Sequence, residues 1–348
     1  MIEISESTLD RLIVHRVGNR VSDMTLVISQ REIQNFDEML SGMLMHFFFT
    51  PFKGDSFFNF THPTDVTLNE IYTYCGRIFD DVTQFFSMSE AIAKHLYEMS
   101  DHPNIKEGEL YVALVKDVVI EGEVCDAIGI FKSENKETFL KVNQGADGLD
   151  LGSESGININ KLDKGCLIFN TEREAGYKVC AVDNTNRNSE AVYWKEAFLR
   201  VKPREDSYYQ TRGYMEVCKG FVKEVFNTEN EVDRADQVVM LNKTAEFFKK
   251  NEVFEETVFE AEVMQQPEII EAFREYKDKY QTVNQVALKE EFSISSDVAK
   301  KMGKHFKSII KLDKNFHIYI HGDRELVDKG YDDEKGMKFY KLYYNDEA

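Results

Sequence analysis

An α+β fold is predicted for this chain of 348 residues, with helices and antiparallel strands segregated along the sequence. Two observations carry the prediction. Between Gly108 and Val182 the sequence breaks into short apolar, β-branched runs separated by Glu-Gly and Ser-Glu-Asn turns. Strands joined so closely pair antiparallel, because parallel pairs need long crossovers. On either side of this stretch, apolar residues recur at helical spacing. The expected division is an N-terminal α+β domain over 1–205, its antiparallel sheet flanked by helices, then a helical segment over 206–297. A basic helix and C-terminal strands fill 298–348.

The elements are justified in chain order. Leu12-Ile13-Val14-His15-Arg16-Val17 is rich in β-branched residues, Gly18-Asn19 punctuates it and Met24–Ile28 returns, which predicts a hairpin. Ile33, Phe36, Leu40, Met43, Leu44 and Phe47 mark one face of a helix that ends before Pro51. Leu68–Phe79 and Val82–Leu96 predict two more helices by the same spacing. Strands are expected at Leu110–Val119, Val124–Phe131, Thr138–Val142, Ile157–Ile159, Cys166–Phe169 and Lys178–Val182. Asp183–Ser189 is a loop by composition, Tyr193–Leu199 a short helix, and Pro203 closes it. Helical stripes then run over Tyr214–Val225, Val238–Phe248 and Ile269–Tyr276, before strands at Phe316–Ile320 and Lys338–Tyr344.

Composition narrows the function. The chain is 42% hydrophobic and 30% charged, with 43 Lys+Arg against 62 Asp+Glu and a net charge of −19. This is the make-up of a folded protein, long enough to bury a core without disulfide or metal staples. The least polar run, Met43–Phe49, is far short of the about 20 residues a membrane span needs. The acidic N-terminus has no apolar leader core. Five scattered cysteines without a CxxC pair fit reduced thiols in a cytoplasm. The acidity argues against a simple nucleic-acid coat, but the charge is uneven. Residues 1–150 carry −13, 151–225 carry +1, 226–297 carry −9 and 298–348 carry +2. Only the second and fourth blocks can welcome phosphate.

Signatures of catalysis are scarce. There is no GxGxxG and no Walker loop, and the glycine cluster Gly145–Gly152 is acidic and repels phosphate. Gly152-Ser153-Glu154-Ser155-Gly156 has the outline of a nucleophile elbow, but Glu154 stands where serine is required, so a turn is expected. His317 and His321 are four apart on a strand-like run, which separates them by about 13 Å. One zinc ion needs its ligands at about 2 Å. The expectation is therefore no catalytic residue, no metal ligand and no cofactor. Phe47, Phe48, Phe49, Phe52, Phe57, Phe58 and Phe60 have only Lys53 among them, and read as core, not as a base-stacking platform.

Two basic groups remain. Lys300, Lys301, Lys304, Lys307, Lys311 and Lys314 fall in a stretch whose single acid is Asp313. Ser295-Ser296-Asp297 offers an N-cap, so a helix is expected from near Val298. On it Lys300, Lys304 and Lys307 share one face, and Val298, Met302 and Phe306 lie opposite. Lysines in a first turn oppose the helix dipole, so they are not placed there for helix stability. Ile309–Leu312, an Asp313-Lys314-Asn315 turn and a second strand follow. The other group is Arg200, Lys202, Arg204 and Arg212, with Lys195, Tyr208 and Tyr209 beside it and Glu196, Glu205 and Asp206 interspersed. Arginine grips phosphate bidentately, and it pairs equally well with neighbouring carboxylates.

The order of several blocks resembles the bacterial nucleoid-associated protein family of the NdpA type, from about Leu9 to Tyr344. Those blocks are Leu12–Asn19, Gly108–Val115, Ile157–Phe169, Tyr193-Trp194-Lys195-Glu196-Ala197-Phe198-Leu199 and Asn315–Ile320. The resemblance implies a cytoplasmic protein of the nucleoid, DNA binding without enzymatic activity, and a connection with DNA topology through type II topoisomerases. It supplies no residue-level site map. The expected function is weakly sequence-specific DNA binding, since phosphate contacts position a protein without reading bases. The rival is an acidic interaction module recruited to the nucleoid through a protein. Candidate partners are DNA, a type II topoisomerase or another nucleoid protein, and a second copy of the chain, with no membrane.

Overall fold

The computed structural model describes residues 2–22, 25–34, 36–52, 56–144, 148–185, 193–227, 230, 232–284, 286–306, 309–313, 315–319 and 326–346, leaving aside the side chains of 305, 309, 311 and 319. The chain separates into two compact units, Met1–Arg204 and Glu205–Ala348.

The first unit contains β1 (Ile2–Glu3), β2 (Thr8–Val17), β3 (Leu26–Val27), α1 (Glu38–Phe49), β4 (Phe58–Phe60), α2 (Glu70–Asp80) and α3 (Phe85–Met99). It continues through β5 (Gly108–Ile120), β6 (Glu123–Ser133), β7 (Glu137–Gln144), β8 (Leu149–Gly156), β9 (Lys164–Phe169), β10 (Lys178–Asp183) and β11 (Val201–Pro203). One nine-stranded sheet runs β11-β4-β10-β9-β6-β5-β2-β3, with β1 added beside β5. Every pairing in it is antiparallel, as the short turns predicted. Side chains alternate between the two faces of a strand, and both faces are covered. Leu110, Val112 and Leu114 join Ile71, Cys75, Ile92 and Leu96 of α2 and α3 on one face. Ala113 and Val115 join Phe47, Phe48 and Phe49 of α1 on the other. Burial on both faces explains why β5, β6 and β9 read as nearly continuous apolar runs.

Local chemistry sets the helix starts. Asp37 caps α1 by accepting the Leu40 N–H at 2.7 Å. The expected start near Ile33 is corrected, because the Ile33 N–H instead donates to the Leu12 carbonyl at 2.8 Å. Asn69 caps α2 by accepting from Tyr72, and its amide donates to the carbonyls of Thr61 and Leu199. The expected strand at Ile157–Ile159 does not form. The Asn158 side chain accepts the Asn160 N–H at 3.0 Å, a local turn that competes with ladder bonding. The expected turn at Gly152–Gly156 is instead part of β8, which pairs with β7. Tyr193–Leu199 is helical, with wide π-type turns, and Pro203 lies in β11. Phe47, Phe48, Phe49, Phe52, Phe57 and Phe60 are buried and Phe58 is half-buried, as core packing requires.

The second unit contains α4 (Ser207–Glu224), α5 (Arg234–Lys250), β12 (Val253–Glu255), α6 (Glu256–Phe259), α7 (Pro267–Asn284), β13 (Glu291–Ser293) and α8 (Ser296–Phe306). The two-stranded ladders β14 (Ile309–Leu312) with β15 (Phe316–Tyr319), and β16 (Val327–Asp332) with β17 (Met337–Leu342), complete it. An aromatic core of Tyr214, Phe221, Phe247, Phe254, Phe259 and Phe273 joins α4 to α7. Ile310 and Val327 pack on Ala235, Val238 and Val239 of α5.

Candidate nucleic-acid interface

The lysine helix α8 is built by its apolar stripe. Val298, Ala299 and Phe306 are buried in the second unit's core and Met302 is half-buried against it. That burial fixes the rotation of the helix and turns Lys300, Lys301 and Lys304 to solvent. Upstream, the Ser295 N–H donates to the Thr211 hydroxyl at 2.9 Å, and the Ser295 carbonyl accepts from Ala299 at 3.0 Å. Lys300 and Lys304 form no ion pair among the described residues. Lys307 and Lys314 lie outside the described residues. Lys311 lies in β14 opposite His317, and its side chain is not described. The β14–β15 hairpin with Asp313 at its turn is as the sequence predicted; Asp313 takes a left-handed φ of 51°.

The second basic group meets carboxylates, two of them brought by the fold from elsewhere and one four residues along the same helix. Arg200 pairs with Glu70 at 3.0 Å, Arg204 with Glu172 at 2.7 Å and Arg212 with Glu216 at 2.8 Å. None of the three pairs uses Glu196, Glu205 or Asp206. A phosphate arriving at these arginines would have to displace a carboxylate. Lys202 is exposed at the sheet edge opposite Asn59. Lys195 lies 4.6 Å from the centre of the Phe58 ring.

Two further lysines are withdrawn altogether. Lys132 and Lys164 are buried and share the Glu134 carboxylate at 2.9 and 3.1 Å. Burial works against that carboxylate, but the two ammonium groups hold it below its usual range. Asn104, Asp163, Thr185 and Tyr193 join Glu134 and Lys164 around a cavity of about 320 Å³. A larger cavity of about 600 Å³, in the second unit, is lined by Glu255, Glu256, Asp278, Glu290 and Glu291, with Arg274 and Lys277 among them. Its acids disfavour phosphate. One basic feature escaped the sequence reading. Strand β17 carries Lys338 and Lys341 to the surface near exposed Tyr331, Phe339 and Tyr343. The alternation Lys338-Phe339-Tyr340-Lys341-Leu342-Tyr343 was the available signal.

Among the described residues, no group of three or more His, Cys, Asp or Glu is arranged to hold a metal ion. The cysteines are free, and burial pushes the half-buried Cys125 thiol up to about 11, far from a reactive thiolate. His317 is exposed on β15, and His321 lies outside the described residues. No helix among the described residues is long and apolar enough to cross a membrane.

Fold and site together define an acidic α+β chain of two units, with a helix in the second unit that turns Lys300, Lys301 and Lys304 to solvent. The sequence belongs to the family described as nucleoid-associated protein YejK, whose family model matches residues 13–337. A search of the curated proteins finds no match.

Proposed function

We propose that the chain is a non-enzymatic DNA-binding protein of the cytoplasmic nucleoid that holds duplex phosphates through the lysine face of α8. The observation that carries this reading is the exposure of Lys300, Lys301 and Lys304 on a helix whose opposite face is anchored in the core. Family membership supports the nucleoid role. Phosphate contacts of this kind fix position and carry no base code, so sequence preference is weak. Lys307, Lys311 and Lys314 follow α8's lysines in sequence and are proposed to add to the same attraction. The Arg200–Arg212 group contributes less, because its three guanidinium groups already hold carboxylates. A role in chromosome organisation or DNA topology follows from binding DNA without chemistry.

The net charge of −19 favours one rival: recruitment to the nucleoid through a protein, a type II topoisomerase or another nucleoid component. Binding of the full chain to duplex and single-stranded DNA at low salt separates the two readings. Direct contact predicts measurable, salt-sensitive binding to unrelated duplexes with similar affinity. Absence of binding at low salt would instead support recruitment.

A further inference from the structure

Strands β6 and β9 are hydrogen-bonded neighbours in the main sheet, yet residues 134–163 separate them in sequence. A tight turn can join antiparallel neighbours. The chain instead departs to form the β7–β8 hairpin, which pairs only with itself among the described residues. Its register divides it cleanly. Thr138, Leu140, Val142 and Gln144 stand opposite Ser155, Ser153, Leu151 and Leu149, so these eight residues share one face. Leu140 is 82% exposed, Val142 59%, Leu149 75% and Leu151 75%. The face carries no charge.

The other face carries charge and, at the base of the hairpin, is tied through Glu137 to the segment that follows. Lys141 pairs with Glu154, and Glu137 accepts from Lys161 at 2.6 Å and from Asn158 at 2.9 Å. Phe139 covers Gly156, where an added Cβ would meet its ring at 3.4 Å. A lone two-stranded hairpin is marginal in water, and contiguous exposed apolar patches usually mark a contact surface.

We propose that the Leu140–Val142–Leu149–Leu151 face is the contact between two copies of this chain, the two hairpins stacking face to face about a two-fold axis. Three observations choose this occupant. A two-fold contact uses the same patch on both copies, and a neutral apolar face is self-complementary. Nucleic acid finds no cation on this face, and a strongly basic or acidic partner finds no opposite charge. For a chain of −19 this is a surface where two copies meet without opposing acids. The four side chains expose on the order of 500 Å² per copy, so the contact buries about 1,000 Å², the lower edge of a specific interface. The dimer is therefore concentration-dependent. This inference goes beyond the DNA-binding reading and does not depend on it.

Sedimentation velocity of the full chain across about 1 to 100 µM tests it, a range chosen for the weak end of specific association. The expected result is a mass rising from one copy towards two. Leu140→Asp with Leu151→Asp should hold the chain at one copy with an unchanged thermal transition. Two variants that each add one cysteine to the five native ones fix the face: a bismaleimide spanning about 10 Å, the spacing of sheets packed face to face, should cross-link Val142→Cys between copies, and Lys141→Cys, on the opposite face, should cross-link no more than the parent. A parent that stays monomeric throughout, a double variant that still dimerises, or equal cross-linking from both positions would overturn the proposal.

Discussion

Arg200, Arg204 and Arg212 on the one hand, and Lys300 and Lys304 on the other, carry the same sign of charge into opposite surroundings. The arginines fold onto Glu70, Glu172 and Glu216, two of which come from more than thirty positions away in sequence. The lysines ride a helix whose apolar side, Val298, Ala299 and Phe306, is buried in the core. Lys132 and Lys164 mark the extreme, two ammonium groups buried against the shared Glu134 carboxylate, with Asp183 a further 3.5 Å from Lys164. The density of basic residues along a chain thus says little about which cations remain for a ligand. What decides it is the set of acids that the fold delivers.

The largest effect should come from breaking the buried node. Glu134→Gln removes the carboxylate that two buried ammonium groups share, leaving Lys164 with Asp183 and Lys132 with the Lys106 carbonyl, and removing one partner of a buried ion pair costs about 3–5 kcal/mol. Urea unfolding of the full chain should show a loss of that size. A loss below about 1 kcal/mol would mean that water reaches these lysines and that they belong with the exposed group.

A second test concerns His15, buried on the same sheet. Its Nδ1 accepts the Ser29 N–H at 3.2 Å, and Ser89 spends its own hydroxyl hydrogen on the Phe86 carbonyl, so Nε2 carries the proton and donates to the Ser89 oxygen. Burial pushes this imidazole down to about 4, with Glu90 opposing the shift. The unfolded chain, with an ordinary histidine near 6.5, binds the proton first as pH falls. The His15 contribution is therefore complete above about pH 6.5, declines as pH falls, and is lost near pH 4, a change of roughly 3 kcal/mol. His15→Gln should flatten the stability profile over this window. An unchanged slope would show that the carboxylates alone produce it.

The smallest effect should come from the paired arginines. Replacing Arg204 or Arg212 with glutamine removes a partly exposed ion pair and should cost less than about 1 kcal/mol. It should also leave the salt dependence of DNA binding nearly unchanged. Flattening by about 0.9 per arginine would instead make each a phosphate ligand and erase the contrast.

Much of this was legible in the sequence, and the exceptions have physical causes. Leu110–Val119 and Cys166–Phe169 were readable because a sheet buried on both faces demands unbroken apolar runs. Strand β8 was not. Leu149-Asp150-Leu151-Gly152-Ser153-Glu154-Ser155-Gly156 looks like a turn because its apolar positions face solvent and its core-facing signal is missing. Ile157 and Ile159 misled in the other direction: they pack against the core from a turn that Asn158 closes. The lysine face of α8 was visible because Val298, Met302 and Phe306 set its period. The pairing of Arg200 with Glu70 was not, since no local pattern announces a partner so far along the chain.

The salt dependence of duplex binding tests the central claim most directly. Each phosphate neutralised contributes about −0.9 to the slope of log K against log salt. Lys300→Gln with Lys304→Gln should flatten the slope by about 1.8, and adding Lys307→Gln and Lys311→Gln should bring the change to about 3.6, with all duplex sequences weakened alike. Glutamine stays polar and, at the helical positions, has nearly the helix propensity of lysine, so the thermal transition should hold. An unchanged slope in the quadruple variant, with the parent still binding DNA, would contradict the account and leave α8 an ordinary solvated face.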